Sequence, residues 1–156
     1  RGREMQKFFS EDDVRETVRL ARQQDAMPLL SRRDLSRLGL YGADLAGVDF
    51  SGSDLGNTNL GRAKLAGAIL IGADLGNADL AMADLTGAQL HGANLFAANL
   101  RGATLKDADL SGTELSEATL TDADLQGADL TNARFNQYTR WTIGFDAIGV
   151  GAVFNL

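Results

Sequence analysis

The chain contains a single histidine, His91, and no cysteine. One imidazole without a thiolate falls short of the three or four protein ligands that a transition metal takes. His91 does have neighbours at a suggestive spacing. Ser111 lies 20 residues further on, and Ser51, Ile71 and Thr131 complete the same series, with Gln89 and Asp109 beside it. Histidine, serine and aspartate are the groups of acyl transfer, provided that the carboxylate orients the imidazole and donors face the oxyanion. Asp34, Asp54 and Asp74 form a second series 20 residues apart, and stacked carboxylates could gather a cation. Both chemistries require an element that brings every twentieth residue into register.

That element is written in a period of five. Leu recurs at 35, 40 and 45, Phe stands at 50, and Leu returns at every fifth place from 55 to 130, with Phe135 last, 21 positions in all. Two residues before these, 15 of the 21 positions are Ala, and one residue before, 13 are Asp or Asn. On an α-helix, steps of about 100° scatter such leucines round the whole surface. On a straight strand, an odd period sends alternate leucines to opposite faces. Both conflicts vanish if the chain turns a square corner, always in the same sense, once per five residues. Four corners close a coil of 20 residues, and stacked coils pair backbone to backbone at roughly 4.8 Å. The element is a solenoid in which each coil buries its inner face against its neighbours.

The other columns follow from this shape. A narrow lumen filled by leucine leaves room only for Ala, Ser, Thr or Val at the second inward position. Gly stands two places after the central residue at 42, 47, 52, 67, 72, 87, 92, 102, 112 and 127. A tight corner needs φ > 0, which Gly supplies and which Asn57, Asn77 and Asn132 tolerate. Each buried Leu contributes roughly 1.5–3 kcal/mol, so the core needs neither metal nor disulfide.

A coil of this shape weakens both the acyl-transfer and the cation reading. The His91 face is flat, with no pocket and no oxyanion donors, and His91 reads as a solvated surface residue. The Asp and Asn side chains read chiefly as partners for the backbone at corners. One column is Asp34, Asp54, Asp74, Asn94, Glu114, Arg134; another is Asp44, Lys64, Asp84, Thr104, Asp124, in which Lys64 and Thr104 break the repulsion. No catalytic, cofactor or metal residue is assigned.

The units ADLAG, ADLGN, ANLFA, ADLQG and ADLTN resemble the A(D/N)Lxx repeat of the pentapeptide-repeat proteins. The resemblance runs from Ser31 to Phe135 and implies an all-β solenoid, a right-handed quadrilateral β-helix of about five coils. Three regions are expected: a tail and capping α-helix over 1–30, the repeats over 31–135, and a C-terminal cap over 136–156. SEDDVRETVRLARQQ reads as the helix, with Ser10 as N-cap, Asp13 three places on, Arg19 and Arg22 near its end, and Val14, Val18 and Ala21 on the face that covers the first coil. Pro28 is expected to break it, and Arg33 and Leu38, as poor lumen residues, to make the first coil irregular. Trp141, Gly144, Phe145, Asp146, Gly151 and Ala152 resemble the TxWPxGFDxxxxGA tail of many cyanobacterial members, with Thr142 where that tail has Pro. Trp141, Ile143 and Phe145 read as a lid. Ile148, Val150, Val153 and Phe154 are candidates for a dimer contact. The residues ahead of Met5 have the look of a tag remnant.

Net charge is -6 and the pI about 4.7, which disfavours direct nucleic-acid binding. No apolar run is long enough to span a membrane. Asp107, Asp109, Glu114, Glu117, Asp122, Asp124 and Asp129 form an acidic stretch with no base among them, a surface for a basic partner. Ile69 with Ile71, and Phe96, project outward as a second candidate contact. The function expected is a non-enzymatic, rigid scaffold for an unidentified protein partner, as a monomer or as a homodimer through the C-terminal tail. The alternative comes from the resemblance. Some members of that family act as acidic, dimeric DNA mimics that bind DNA gyrase and protect it from quinolones. About five coils span roughly 25 Å. That gives one net charge per about 4 Å, against one per about 1.7 Å in B-DNA. Cytoplasm is the default compartment, with periplasm and thylakoid lumen open.

Overall fold

The computed structural model describes residues 9–156. The presumed tag remnant, residues 1–4, lies outside them. Helix α1 spans Glu11–Gln23. Its capping box is closed on both sides: the Asp13 N–H donates to Ser10 Oγ at 3.2 Å, and the Ser10 N–H to Asp13 Oδ2 at 2.9 Å. Glu11, Asp12 and Asp13 face the positive end of the helix dipole and Arg22 the negative end. Val14 and Val18 are buried in the same core as Leu30 and Leu35, so α1 closes the first coil. Ala21 is only half-buried.

Pro28 does not end the helix. The Ala26 N–H returns to the Ala21 carbonyl at 2.9 Å, and Asp25 takes φ 51°, which is a left-handed stop several residues earlier. Pro28 is already part of the first coil, where its carbonyl accepts the Asp49 N–H at 2.9 Å. At this place in the repeat the N–H bonds within its own turn, as Ala43 does to Leu40 O, so the missing N–H of Pro28 breaks no bond between rungs.

From Leu29 onward each residue at the Asp/Asn position pairs in parallel with the residue 20 further on, from Leu29↔Asp49 to Glu114↔Arg134. Two turn residues follow every central residue, giving four corners per coil. Between corners, only one residue per side is bridged. Named strands are therefore scarce: β1, Arg134–Phe135, and β2, Val153–Phe154. The four sides are named here by their middle residue. The Asp74 side carries 34, 54, 74, 94, 114 and 134; the Asp79 side 39, 59, 79, 99 and 119; the Asp84 side 44, 64, 84, 104 and 124; the Gln89 side 49, 69, 89, 109 and 129.

The lumen is filled as its columns predict, with the central residues from Leu30 to Leu130 buried. Ser53, Thr58 and Thr113 fit beside the alanines because each hydroxyl donates to the carbonyl three residues back, at 2.6, 2.6 and 2.7 Å. The second turn residue of every corner from Arg32 to Asn132 has φ > 0, and from Ala43 onward the N–H after it closes the turn, as in Ala88 to Leu85 O at 3.0 Å. This is the type II arrangement. Gly and Asn fill many of these places, but Arg62, Met82, Ala97, Asp107, Glu117 and Asp122 hold it too. The first coil is irregular in its side chains and regular in its backbone. Arg33 points out and sits over the Phe9 ring at 5.1 Å, while Leu38 is half-buried.

At the far end the period slips by one. Thr119 pairs with Arg140, so Trp141 takes the next central place. Thr139 anchors the slip by donating from its hydroxyl to Leu115 O at 2.9 Å. Strand β2 then adds a parallel rung to β1. Phe135 meets Trp141 and Phe154 edge-on at 5.4 and 5.5 Å, and Phe145 stacks on Trp141 at 5.2 Å. Trp141 and Phe145 thus form the lid, but Ile143 does not. It sits fully exposed at a turn tip, where Gly144 has φ 79° and the Phe145 N–H bonds Thr142 O.

Candidate functional site: the outward columns

The histidine series does come together, in the wrong order for catalysis. His91 Nδ1 lies 2.9 Å from Ser111 Oγ, and Ser111 Oγ donates to Asp109 Oδ1 at 2.5 Å. With the hydroxyl proton directed at the carboxylate, Nδ1 must be the donor to Oγ. Acyl transfer needs the reverse, an imidazole that takes the serine proton while the carboxylate holds the imidazole. The Ser111 N–H also donates to Asp109 Oδ1, at 2.9 Å. The chain Asp109–Ser111–His91 is therefore a surface extension of a corner.

The same corner bond explains the Asp/Asn column. Each Asp or Asn before a central residue accepts the N–H two places on, for example Asp54 from Gly56 at 2.9 Å and Asp84 from Thr86 at 3.0 Å. Donation by the Ser36 hydroxyl and N–H holds the Asp34 carboxyl below its ordinary value. Between coils, amides relieve the repulsion of stacked acids: Asn94 Nδ2 donates to Asp74 Oδ1 at 3.0 Å and Asn99 Nδ2 to Asp79 Oδ1 at 3.2 Å. Glu114 meets Arg134 at 3.3 Å. Among the described residues no group of three or more His, Cys, Asp or Glu could hold a metal ion.

The acidic stretch does not form one patch. Asp109 and Asp129 lie on the Gln89 side, Glu114 on the Asp74 side and Asp124 on the Asp84 side. Glu117, Asp122 and Asp107 occupy three different corners, with Asp122 3.8 Å from Arg101. Consecutive acids in a chain that turns every five residues must encircle it. What the structure does gather is the Gln89 side: half-buried Ile69, then Gln89, Asp109 and Asp129 in line, bordered by exposed Ile71 and His91 on the following corner. Phe96 belongs elsewhere, to the corner after the Asp74 side. In the tail, Trp141, Phe145 and Phe154 join the aromatic cluster, while Ile148, Val150 and Val153 stay exposed.

Two features lie outside the sequence reading. A crease between α1 and the first coils is lined by Arg15, Arg19 and Arg22 over the buried Val18 and Leu45. Arg22 spans it to Asp44 at 3.1 Å. Burial works to raise the Asp44 carboxyl, but the Arg22 and Ala46 hydrogen bonds and the nearby Arg22 and Lys64 charges outweigh it and lower its pKa. The other is a recess at Gly56 and Gly76. Its sequence signal is glycine one place before the positive-φ position.

No described helix is long and apolar enough to cross a membrane. A model of pentapeptide repeats matches residues 30–62, 43–81, 58–96 and 98–137. Among solved structures, the chain is similar to the pentapeptide repeat protein alr5209 of Nostoc Pcc 7120, at 33% identity over 96% of this chain and 100% of that one, with a TM-score of 0.59. It is similar to Rfr23 of the cyanobacterium Cyanothece 51142, at 35% identity over 64% of this chain and 67% of that one, TM-score 0.61. HetL of Nostoc sp. strain PCC 7120, a pentapeptide repeat protein involved in heterocyst differentiation regulation, shares 28% identity over 80% of this chain and 73% of that one, TM-score 0.55. No curated protein matches.

Proposed function

The chain belongs to the pentapeptide-repeat family, and from that premise we propose that it is a non-enzymatic, rigid scaffold for protein–protein interaction. Membership also supports a right-handed, quadrilateral course for the coil. The observation that carries the scaffold reading is the alignment of Ile69, Gln89, Asp109 and Asp129 along one side, with Ile71 beside it. Successive rungs stand roughly 4.8 Å apart. This side suits a partner with an apolar contact and a basic group about two rungs further along. The test is affinity capture with the full chain against Ile69→Ser/Ile71→Ser and Asp109→Asn/Asp129→Asn. Both variants should lose the partner; retention by both refutes the assigned side.

Self-association is proposed through the C-terminal end. The N–H groups of Leu125 and Leu130 have no acceptor there among the described residues. Such an open edge, next to exposed Ile148, Val150 and Val153, favours pairing with a second copy. Nothing in the outward columns favours the DNA-mimic alternative, because Lys64, Arg101 and Arg134 interrupt the acids.

A further inference from the structure

The corner after the Asp74 side carries a break that no local rule explains. Its first turn residue in successive coils is Ser36, Gly56, Gly76, Phe96 and Ser116. Gly56 and Gly76 do not hold positive φ; that falls to Arg37, Asn57, Asn77 and Ala97, one place later. Nor does packing require glycine. A Cβ would meet the Oδ1 of its own aspartate at 3.1 Å in both cases and, at Gly76, also the movable Asn94 Nδ2 at 3.4 Å. Real side chains tolerate the same corner bond at Ser51, Ala81, Thr86 and Ser111, and at Phe96 one rung along this very column. Gly61 is the contrast, because the Tyr41 ring already fills its place, with Cδ2 3.0 Å from where a Cβ would stand.

The two bare glycines floor a trough one coil apart. Asp54, Asp74 and Asn94 form one wall, Arg37, Asn57 and Asn77 the other, and Phe96 stands at the end. Each aspartate uses Oδ1 for its corner, and Asp74 Oδ1 also accepts from Asn94 Nδ2, so that both Oδ2 atoms are without a bond among the described residues. The Asn57 and Asn77 amides and the Arg37 guanidinium have no hydrogen-bond or ion-pair partner among the described residues. The trough thus offers acceptors on one wall and donors on the other, repeated at roughly 4.8 Å, and ends on an aromatic ring that is 39% exposed. Two carboxylates against one guanidinium leave little net charge, so neither a strong anion nor a strong cation is favoured.

A ligand that fits must present donors and acceptors together, repeat with the coil, and carry an apolar face for Phe96. We propose that the trough binds a neutral oligosaccharide. One ring lies over each glycine. Its hydroxyls donate to Asp54 and Asp74 and accept from Asn57, Asn77 and Arg37, and the apolar face of the next ring packs on Phe96. An extended peptide advances roughly 3.3 Å per residue and alternates its faces, so it falls out of step with the rungs. The site is separate from the Gln89 side and does not depend on the scaffold reading.

The test is an amide-shift titration of the isotope-labelled full chain with cellotetraose, maltotetraose and chitotetraose. At least one sugar should give saturable shifts at Gly56, Gly76 and Phe96. Phe96→Ala should weaken binding by at least about tenfold, and Gly76→Leu, which fills the trough, should abolish it. Asn57→Gly/Asn77→Gly keeps the positive φ, removes both amides, and should weaken binding even if the leucine variant misfolds. Saturable shifts with none of the sugars, or shifts that persist in the double variant, overturn the proposal. So does loss of a captured protein from the trough variants when no sugar binds, which would assign the trough to a protein.

Discussion

Leu90 is fully buried in the middle of the lumen, with rungs above and below that cannot close over a gap. Leu90→Ala should cost about 2–5 kcal/mol, read as a lowered denaturant midpoint. Gly87 makes a different test. Its φ is 65°, and a Cβ there would meet nothing within 4 Å. Gly87→Ala should therefore cost about 1 kcal/mol through backbone conformation alone; no loss in the same denaturation would refute the corner geometry. The leucine and alanine columns were legible in the sequence because inward position depends only on the count of five. Positive φ at Met82, Ala97 and Arg62 was not, since these residues do not advertise it. The neighbouring coils impose the corner whatever residue stands there. Gly56 and Gly76 escaped notice for the opposite reason, as glycines at a place where φ asks for none.

Helix α1 was legible from its cap, its charges and its apolar face. That this face covers the first coil was legible too; the polar contacts that fix the helix there were not, because they reach groups far along the chain whose direction only the coil sets. Glu11 Oε1 accepts the Gly39 N–H at 2.8 Å. That bond, followed by Glu11's own backbone N–H and the Arg15 charge, holds the carboxyl below its ordinary 4.5. The group binds fewer protons folded than unfolded, so its stabilisation is complete above about pH 4.5 and is lost as pH falls through the lowered pKa. The Gly39 amide should show this as a pH-dependent loss of exchange protection in that acid window. Glu11→Gln should remove the pH dependence; a Gly39 profile that stays the same in the variant would show that another group docks the helix. The C-terminal lid divides in the same way. Trp141 and Phe145 could be read from residue type and the tail they resemble, whereas the one-residue slip that turns Ile143 outward depends on the Thr139 hydroxyl finding Leu115 O.

At the scale of the whole molecule, a coil converts sequence proximity into dispersal and a spacing of 20 into proximity. The acidic stretch that looks like a patch in one dimension becomes a girdle, and residues as distant as Ile69 and Asp129 come to share one side. The same view makes the two ends unequal: α1 covers the first coil, while the last leaves the Leu125 and Leu130 N–H groups without acceptors among the described residues. Native mass measurement should accordingly show a dimer of the 16.6 kDa chain that Ile148→Asp/Val153→Asp converts to monomer. A monomer at every concentration would remove that proposal. The central claim is that one side of the coil meets a partner as a unit. Hydroxyl-radical footprinting of the complex reads it out, because Ile69, Ile71 and His91 lie on or beside the Gln89 side while Tyr41, Met82 and Phe96 stand on other corners. Protection is expected at Ile69, Ile71 and His91, in steps of the coil, with Tyr41, Met82 and Phe96 unchanged. Protection at Tyr41, Met82 or Phe96, with Ile69, Ile71 and His91 still reactive, would contradict it.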